Sequence, residues 1–469
     1  MKKLFLLLSL LTCGLLSYTQ AYQYTIRIKG IADTIVMLGH HYGDKQYVID
    51  TVAVNSNGEA VFAGPTPLKG GMYLCVIPSL KNKYFEFLIS GSEPKFTLET
   101  DTSDLAGNMK VTGSLENKLF FDDIQYVSNR RKEMNDMKEK LKTLEENSAD
   151  ARQLKDQMKL LNEEVEAERK LIIEKHPGLF YTKFLTAITD VKIPDAPLNI
   201  DGTKDSTFAY RFIRNHFFDN IDFSDERLLR TTVFDTRIKR FIKDYIVKIP
   251  DSIDVAVDEI IAKSKVDSTV FQFVTVMLLN EYATSKIMGF DAVYIHIVDQ
   301  YYKTGQAFWL DDVGLYKIIA NADKVRPTLI GKPAPQLIMQ DTSGNDVPLY
   351  GLSSKYTVVI FWDVDCGHCK KEMPKIENIY PQLKGYGAEV YAAYTQEEWD
   401  KWKKWLREKK YPWVNVGNVK LKSDYQIRYN VDQTPLILIL DKNKKIIAKK
   451  IGADQILEII QHDAEDTKP

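Results

Sequence analysis

Two cysteines three residues apart, Cys366 and Cys369, are the residues of this chain whose types and spacing point most directly to chemistry. They follow the apolar run 358–362, which predicts a buried strand, and precede a segment whose pattern predicts a helix. Cys366 then lies at the helix N-terminus, where the helix dipole and free backbone amides favour a thiolate. Cys369, one turn further along, is placed to resolve a mixed disulfide. The spacing therefore predicts thiol–disulfide exchange.

His368, between the two cysteines, is the residue that we expect to tune the reactive thiol. A protonated imidazole stabilises the Cys366 thiolate, which favours the reduced pair and makes the disulfide more oxidising. Asp365 acts in the opposite direction, because a neighbouring carboxylate raises the pKa of a thiol by repulsion. The redox potential and the direction of exchange stay open at this point.

Other uses of the cysteine pair fit the sequence less well. A zinc site needs a second pair of ligands at similar spacing, and the sequence has none. A structural disulfide that closes so short a loop stabilises a fold weakly. A c-type haem needs histidine directly after the second cysteine, where Lys370 stands. We therefore predict no metal and no organic cofactor, and the redox-active group is the Cys366–Cys369 pair itself.

The dipeptide Thr434-Pro435 marks a second part of the predicted site. It directly precedes the apolar run 436–440, which predicts a further buried strand. A cis bond before Pro435 bends the chain, and it leaves the backbone groups of Thr434 free to pair with an extended client. A trans proline in an ordinary turn is the alternative.

The segment from Phe361 to Pro374 resembles the active site of thioredoxin-like proteins, especially the TlpA/ResA branch of bacterial envelope thiol–disulfide oxidoreductases. The segment 331–335 is similar to the opening motif of that branch. Pro374 and Thr434-Pro435 match its helix-kinking and cis-proline positions. Residues 388–411 match its extra strand–helix insertion. The specific likeness covers only the residues from 326 onward.

This resemblance implies roles for further residues. Trp362 is expected to bind the client together with Thr434 and Pro435. Glu372 matches an acidic residue near the cysteine pair, and it is expected to relay protons to and from Cys369. Ile360 stands where thioredoxin has a buried aspartate, so Glu372 would take over that role.

The same resemblance implies protein thiols and disulfides as clients and a membrane-linked electron donor. Reductase activity is the leading expectation, while the Gly-His dipeptide resembles protein disulfide isomerases and keeps isomerase or oxidase activity open. A third hypothesis is a binding or scaffold protein of the envelope, because the long region before residue 326 carries no catalytic motif.

Composition limits the function classes. The chain has 469 residues, enough for several domains, and 44% of them are hydrophobic, which argues against general disorder. It carries 63 Lys and Arg against 64 Asp and Glu. A net charge of −1 excludes a chain built to neutralise nucleic-acid phosphates. Four cysteines are too few for a disulfide-stapled scaffold.

Residues 1–21 predict a secretory signal peptide. Two lysines precede the apolar run 4–16, and Thr19-Gln20-Ala21 is an acceptable cleavage site. A lipoprotein anchored at Cys13 and a retained N-terminal anchor are the alternatives. Each of these predicts the periplasm or cell envelope, where disulfides persist.

The mature chain predicts a multidomain α+β protein. Residues 22–114 alternate at period two and predict an antiparallel β-sandwich-like domain, with Cys75 buried in a strand. Residues 115–325 predict a helical domain that begins with paired amphipathic helices. Residues 326–469 alternate strands and helices and predict an α/β thioredoxin-like domain with a mixed sheet. The first two regions resemble accessory regions of Bacteroidetes envelope proteins.

Overall fold

A computed structural model describes residues 20–420 and 423–466. The greater part of the predicted signal peptide, with Cys13, lies outside these residues. The chain forms two compact units. The first contains the residues up to Tyr245 together with Lys263–Phe271, and the second contains Ile246–Ala262 and the residues from Gln272 onward. The boundaries at 114 and 325 stay predictions.

The first unit begins with two four-stranded sheets, in the orders β4-β1-β7-β8 and β3-β2-β5-β6. Alternate residues of β1 are buried, as the period-two pattern predicts. β1 and β7 run parallel, unlike the antiparallel arrangement that we predicted, because the chain between them passes through the other sheet. The strands are β1 (Tyr22–Lys29), β2 (Thr34–Tyr42), β3 (Lys45–Val54), β4 (Glu59–Gly64), β5 (Gly71–Ile77), β6 (Lys83–Ile89), β7 (Lys95–Asp101) and β8 (Lys110–Thr112).

Cys75 lies in β5 and has no exposed surface. Burial in apolar surroundings raises the pKa of its thiol to about 12. The thiol is therefore protonated and inert at neutral pH, as expected for a small residue of the sheet interior.

Helices follow the sheets in the first unit, and the first two form the predicted pair. Ser114 and Ser148 cap them, each accepting a hydrogen bond from a backbone amide of the first turn. Arg169 of the second helix donates to buried Asp123 of the first, with an Nη2–Oδ2 distance of 2.9 Å. The helices are α1 (Leu115–Leu141), α2 (Ala149–Lys175), α3 (Phe180–Ile188), α4 (Phe208–His216) and α5 (Val233–Tyr245).

Four further helices precede the C-terminal sheet. They are α6 (Pro250–Ser264), α7 (Ser268–Ala283), α8 (Asp291–Ile297) and α9 (Asp312–Val325). No helix among the described residues combines the length and the apolarity needed to cross a membrane.

The second unit contains one seven-stranded mixed sheet in the order β10-β9-β13-β12-β11-β14-β15. β11 is parallel to β12 and antiparallel to β14, so the predicted mixed α/β layout is confirmed. The elements are β9 (Ile338–Gln340), β10 (Asp346–Pro348), β11 (Tyr356–Trp362), α10 (Gly367–Gly385), β12 (Ala388–Tyr394), α11 (Trp399–Lys409), β13 (Val414–Gly417), α12 (Tyr425–Arg428), β14 (Leu436–Leu440), β15 (Ile446–Lys449) and α13 (Ala453–Asp466).

β11 is an interior strand of this sheet, between β12 and β14, and positions the cysteine pair. All seven of its residues are buried, because apolar clusters cover both faces of the sheet. Ile360 is among them, so the apolar side chain predicted at thioredoxin's aspartate position lies within the core. The strand ends at Trp362, a few residues before the cysteine that begins α10.

A buried ion pair joins the last strand to a preceding helix within the second unit. Lys449 of β15 is 4% exposed, and its ammonium group donates to the carboxylate of Asp291, the first residue of α8. Burial lowers the pKa of Lys449, whereas the nearby Asp291 charge favours the protonated form. The lysine therefore depends on Asp291 to stay charged at this depth.

Candidate active site

Cys366 caps the N-terminus of α10, as the sequence predicts. Its Sγ accepts a hydrogen bond from the backbone amide of Cys369 at 3.2 Å. The amides of the first turn have no partners within the helix, so they stabilise a negative sulfur at this position. Both residues are free thiols, and Cys366 is partly exposed while Cys369 is 1% exposed.

The two thiols have opposite pKa shifts. Burial opposes ionisation of Cys366, but hydrogen bonds from the Cys369 and Thr434 side chains and from backbone amides outweigh it and lower its pKa. Burial, reinforced by the hydrogen bond to Cys366, raises the pKa of Cys369 to about 12. Cys366 is therefore the thiolate-forming residue, and Cys369 holds its proton.

We expect alkylation to separate these two thiols. In the reduced protein, the reaction of Cys366 with iodoacetamide should reach half its maximal rate below the ordinary thiol pKa of about 8.5. Cys369 should stay unmodified across the neutral range, because it is buried and protonated. Peptide mass spectrometry after timed quenching measures both rates. Equal rates for the two cysteines, or a Cys366 profile at the ordinary pKa, would contradict this assignment.

His368 is exposed at the surface beside the pair. Its backbone amide is one of the groups that lower the pKa of Cys366. Burial and hydrogen bonds are thus the main influences on the pKa of Cys366. The predicted effect of the His368 imidazole remains a proposal.

Asp365, the acidic residue that we expected to oppose the thiolate, has a cationic partner. Its carboxylate accepts a hydrogen bond from the ammonium group of Lys401 on α11. The side chains of both residues are about half exposed, at 50% and 49%. Asp365 raises the pKa of Lys401 through this bond. Lys401 therefore offsets part of the repulsion between Asp365 and a Cys366 thiolate.

Replacing Lys401 with methionine should raise the pKa of Cys366 by about half a unit or less, since solvent screens an exposed pair. The pH profile of Cys366 alkylation measures the change. Lys404→Met removes the same charge from the same helix, and it should have a smaller effect. An equal shift in the two variants would show that Lys401 acts only through net charge.

Glu372 lies one turn beyond Cys369 on α10 and contacts the last helix. Its Oε2 accepts from the backbone amide of Ala453, at the start of α13, at 2.7 Å. Its Oε1 accepts from Lys375 Nζ at 3.0 Å. Its side chain is 20% exposed. The carboxylate thus joins the active-site helix to α13, a contact that the sequence analysis missed.

Thr434, which precedes Pro435, contacts Cys366. The peptide bond between Thr434 and Pro435 is cis, as predicted. The Cys366 thiol donates to the Thr434 carbonyl oxygen at 3.2 Å, so the carbonyl predicted to pair with a client has an internal donor in the reduced state. Ionisation of Cys366 removes that donor and leaves the carbonyl oxygen available.

Trp362 lies behind the site. It is 1% exposed, and its ring packs edge-on against Tyr394 and Tyr411. Its carbonyl oxygen accepts from the Thr395 amide at 3.0 Å. A direct client contact at Trp362 does not fit this burial, and its position suits support of the segment before Cys366.

The described residues contain no group of three or more histidine, cysteine or acidic side chains arranged to hold a metal ion. Two histidines of the helical region contact carboxylates. His216 contacts Asp219 at 2.7 Å, and His296 contacts Asp258 at 2.9 Å.

A strand, an N-terminal cysteine pair on the next helix and a cis-proline beside it define a thioredoxin-like thiol–disulfide oxidoreductase. Residues 330–449 match the AhpC/TSA family. ResA, a thiol-disulfide oxidoreductase of Bacillus cereus, is 30% identical over 125 residues, which cover 26% of this chain and 70% of ResA. The chain therefore belongs to the ResA family of thiol–disulfide oxidoreductases, and the predicted resemblance is confirmed.

Two earlier segments of the chain match families without an assigned activity. Residues 22–120 match a domain of unknown function designated DUF4369, and residues 141–327 match another designated DUF5106. These matches assign no activity to the accessory regions.

Two solved structures are also similar. A domain of a possible thiol-disulfide isomerase from Cytophaga hutchinsonii is 40% identical and covers 30% of this chain and 97% of its own, with a TM-score of 0.28. A thioredoxin-like protein from Bacteroides caccae is 20% identical and covers 58% of this chain and 99% of its own, with a TM-score of 0.45.

Proposed function

We propose that this protein reduces disulfides of protein clients in the bacterial envelope. The Cys366 thiolate attacks one sulfur of the client disulfide, that S–S bond breaks, and the other client sulfur leaves as a thiolate. Cys369 then loses its proton and attacks Cys366, which releases the second client thiol. Two electrons pass to the client, and the protein retains the Cys366–Cys369 disulfide until a donor reduces it.

The observation that carries this proposal is the asymmetry between the two thiols. Cys366 is reachable and has a lowered pKa, whereas Cys369 is buried and protonated. An attacking thiol needs access and thiolate character, while a resolving thiol needs protection from the client's other groups. The exposure and the pKa shift of each cysteine support these two proposed roles.

Thr434 and Pro435 form the part of the proposed client groove that adjoins Cys366. Both are partly exposed, so an extended client segment can reach them. The Thr434 carbonyl oxygen, freed when Cys366 ionises, would accept a backbone hydrogen bond from the client in the manner of strand addition. Trp362 would support this surface from beneath.

Glu372 and His368 are the proposed auxiliary groups. Glu372 lies one turn along α10 from Cys369, and its bonds to Ala453 and Lys375 hold the carboxylate at that place. It would accept the Cys369 proton during resolution and return it on reduction. His368 would add positive charge near the Cys366 sulfur when it is protonated.

The proposed cellular location follows from the sequence. A signal peptide at 1–21, or a lipid anchor at Cys13, would place the protein in the periplasm or at the envelope membrane, where a membrane-linked donor supplies electrons. The balanced charge supports protein clients and no nucleic acid. We further propose the domains 22–114, 115–325 and 326–469.

The reduction potential of the Cys366–Cys369 pair tests the direction of exchange. Equilibration of the mature protein with glutathione buffers, read by thiol alkylation, should give a value well below about −220 mV for a reductase. A value near about −180 mV or higher would overturn the reductase assignment in favour of isomerase or oxidase activity, which the Gly-His dipeptide favours. His368→Pro is the matched variant, and loss of the imidazole should lower the potential further.

A further inference from the structure

Helix α11 carries more positive charge than the composition of the chain would give a segment of its length. Residues 399–410 contain six basic and two acidic residues, whereas the whole chain has a net charge of −1. The helix belongs to the same compact unit as the cysteine pair. Apart from the contact between Lys401 and Asp365, the thiol chemistry described above uses none of these cations.

Several cations of α11, and one in the first turn of α10, are exposed without a counter-charge. Lys401 has a partner in Asp365. Four other exposed cations on the two helices form no ion pair with a carboxylate in the part of the chain that the structure describes. These four side chains, named the basic patch, are Lys370, Lys404, Arg407 and Lys409.

Lysines on the surface of α2 are arranged differently. Lys159 pairs with Glu163 and Lys170 pairs with Glu174, one helical turn along in each case. Such pairs neutralise a solvated helix face and stabilise the helix itself. In residues 399–410, by contrast, the acidic residues leave an excess of four positive charges. Local pairing therefore does not account for the cations of α11.

The basic patch adjoins the reactive thiol. The bond between Lys401 and Asp365 joins α11 to the residue directly before the reactive cysteine, and it offsets the charge of that carboxylate. Lys370 of α10 has its Nζ 6.0 Å from the centroid of the Trp405 ring, and Lys409 has its Nζ 5.6 Å from the same centroid. The patch is thus shared between α11 and the helix that begins at the reactive cysteine.

The apolar side of α11 faces the core, and this favours a protein partner over a membrane. Trp402 has no exposed surface, and Trp399, Trp405 and Leu406 pack against the core of the domain. A helix that binds a membrane surface inserts its apolar side into the lipid, and here that side is already occupied. The surface that remains is polar and cationic, which is complementary to an acidic protein segment.

We propose that the basic patch binds acidic residues flanking the disulfide of a protein client, and that it selects clients by this charge. The selection rests on the proposed reduction of client disulfides at Cys366, and it names the class of substrate. Because the patch and Cys366 lie on neighbouring elements, a client held on the patch brings its disulfide to the thiolate. Attraction between opposite charges speeds association and lowers KM, and salt weakens both effects.

Two synthetic disulfide peptides test the proposal, one with glutamates and the other with glutamines beside the disulfide. The mature full-length protein reduces them with dithiothreitol as donor, and the uncatalysed rate is subtracted. The value of kcat/KM should be at least about threefold higher for the glutamate peptide, and added salt should narrow the difference. Equal values would overturn the selection and leave the reductase function intact, whereas failure to reduce either peptide would refute the reductase function together with the selection.

Paired variants locate the effect. Lys404→Gln combined with Lys409→Gln should raise KM for the glutamate peptide and lower the preference to below about twofold. Lys159→Gln combined with Lys170→Gln removes the same charge from α2, and it should keep the preference. An equal loss in the two double variants would overturn the proposal, because net charge alone would then explain it.

Vesicles made of equal parts phosphatidylcholine and phosphatidylglycerol test the membrane alternative. The protein should not float with them at the salt concentration at which it prefers the glutamate peptide. Flotation that is lost in the α11 double variant, together with equal reduction of the two peptides, would assign the patch to the membrane and overturn the proposal.

Discussion

Cys366→Ser is expected to abolish disulfide reduction by this protein, with a loss of at least about a thousandfold in turnover. Serine at the N-terminus of α10 can accept the same backbone hydrogen bond from Cys369, so the helix cap is kept. Its hydroxyl does not ionise at neutral pH and cannot form a disulfide, so the first bond to the client never forms. Reduction of insulin by the mature protein with dithiothreitol as donor measures the loss.

Cys369→Ser should block disulfide reduction at a later step, the resolution of the mixed disulfide. Cys366 still attacks, but no thiol resolves the intermediate, so mixed disulfides with clients accumulate and are visible on non-reducing gels. Cys75→Ala is the matched control, because it removes a buried, protonated thiol of the first unit, and it should keep turnover. Full activity of Cys366→Ser would refute the mechanism, and the lack of trapped clients with Cys369→Ser would favour the scaffold hypothesis.

Asp291→Ala is expected to lower the free energy of unfolding of the second unit by about 3–5 kcal/mol. The Lys449 ammonium group is almost fully buried, and Asp291 supplies its compensating charge. Without that carboxylate, Lys449 must lose its proton or draw water into the structure. All six tryptophans lie at or after Trp309, so tryptophan fluorescence in urea follows this unit.

Two further variants separate the effect of the buried Lys449–Asp291 pair from the effect of losing an exposed carboxylate. Asp454→Ala removes a 74% exposed carboxylate that pairs with Lys375, and it should cost about 1 kcal/mol or less. Adding Lys449→Met to Asp291→Ala removes the stranded charge and should recover much of the lost stability. A loss in Asp291→Ala no larger than in Asp454→Ala would contradict the expected dependence of Lys449 on its partner.

The sequence predicts those parts of the site that depend on local order. Strand β11, the cysteine at the start of α10 and the cis bond before Pro435 lie within a few residues of the signals that predict them. Periodicity and helix-terminus chemistry act over that range. The predicted class of protein rested on these local features and is confirmed by the match to ResA.

Contacts between distant elements were not predictable in the same way. The pairing of Lys401 with Asp365 and of Asp291 with Lys449 depends on how helices lie on the sheet. No periodic pattern in the sequence encodes the position of these helices on the sheet. The buried strand predicted over 358–362 includes Trp362, and this burial leaves no surface for the client contact that the resemblance implied.

The burial of Cys75 has a consequence for the folding of the protein. In the proposed envelope location, the chain is exposed to disulfide scrambling for as long as it is unfolded. Once β5 lies between β2 and β6, the Cys75 thiol is inaccessible to solvent and stays protonated. Burial of Cys75 in the folded sheet would thus protect it from a wrong pairing with the cysteines of the active site.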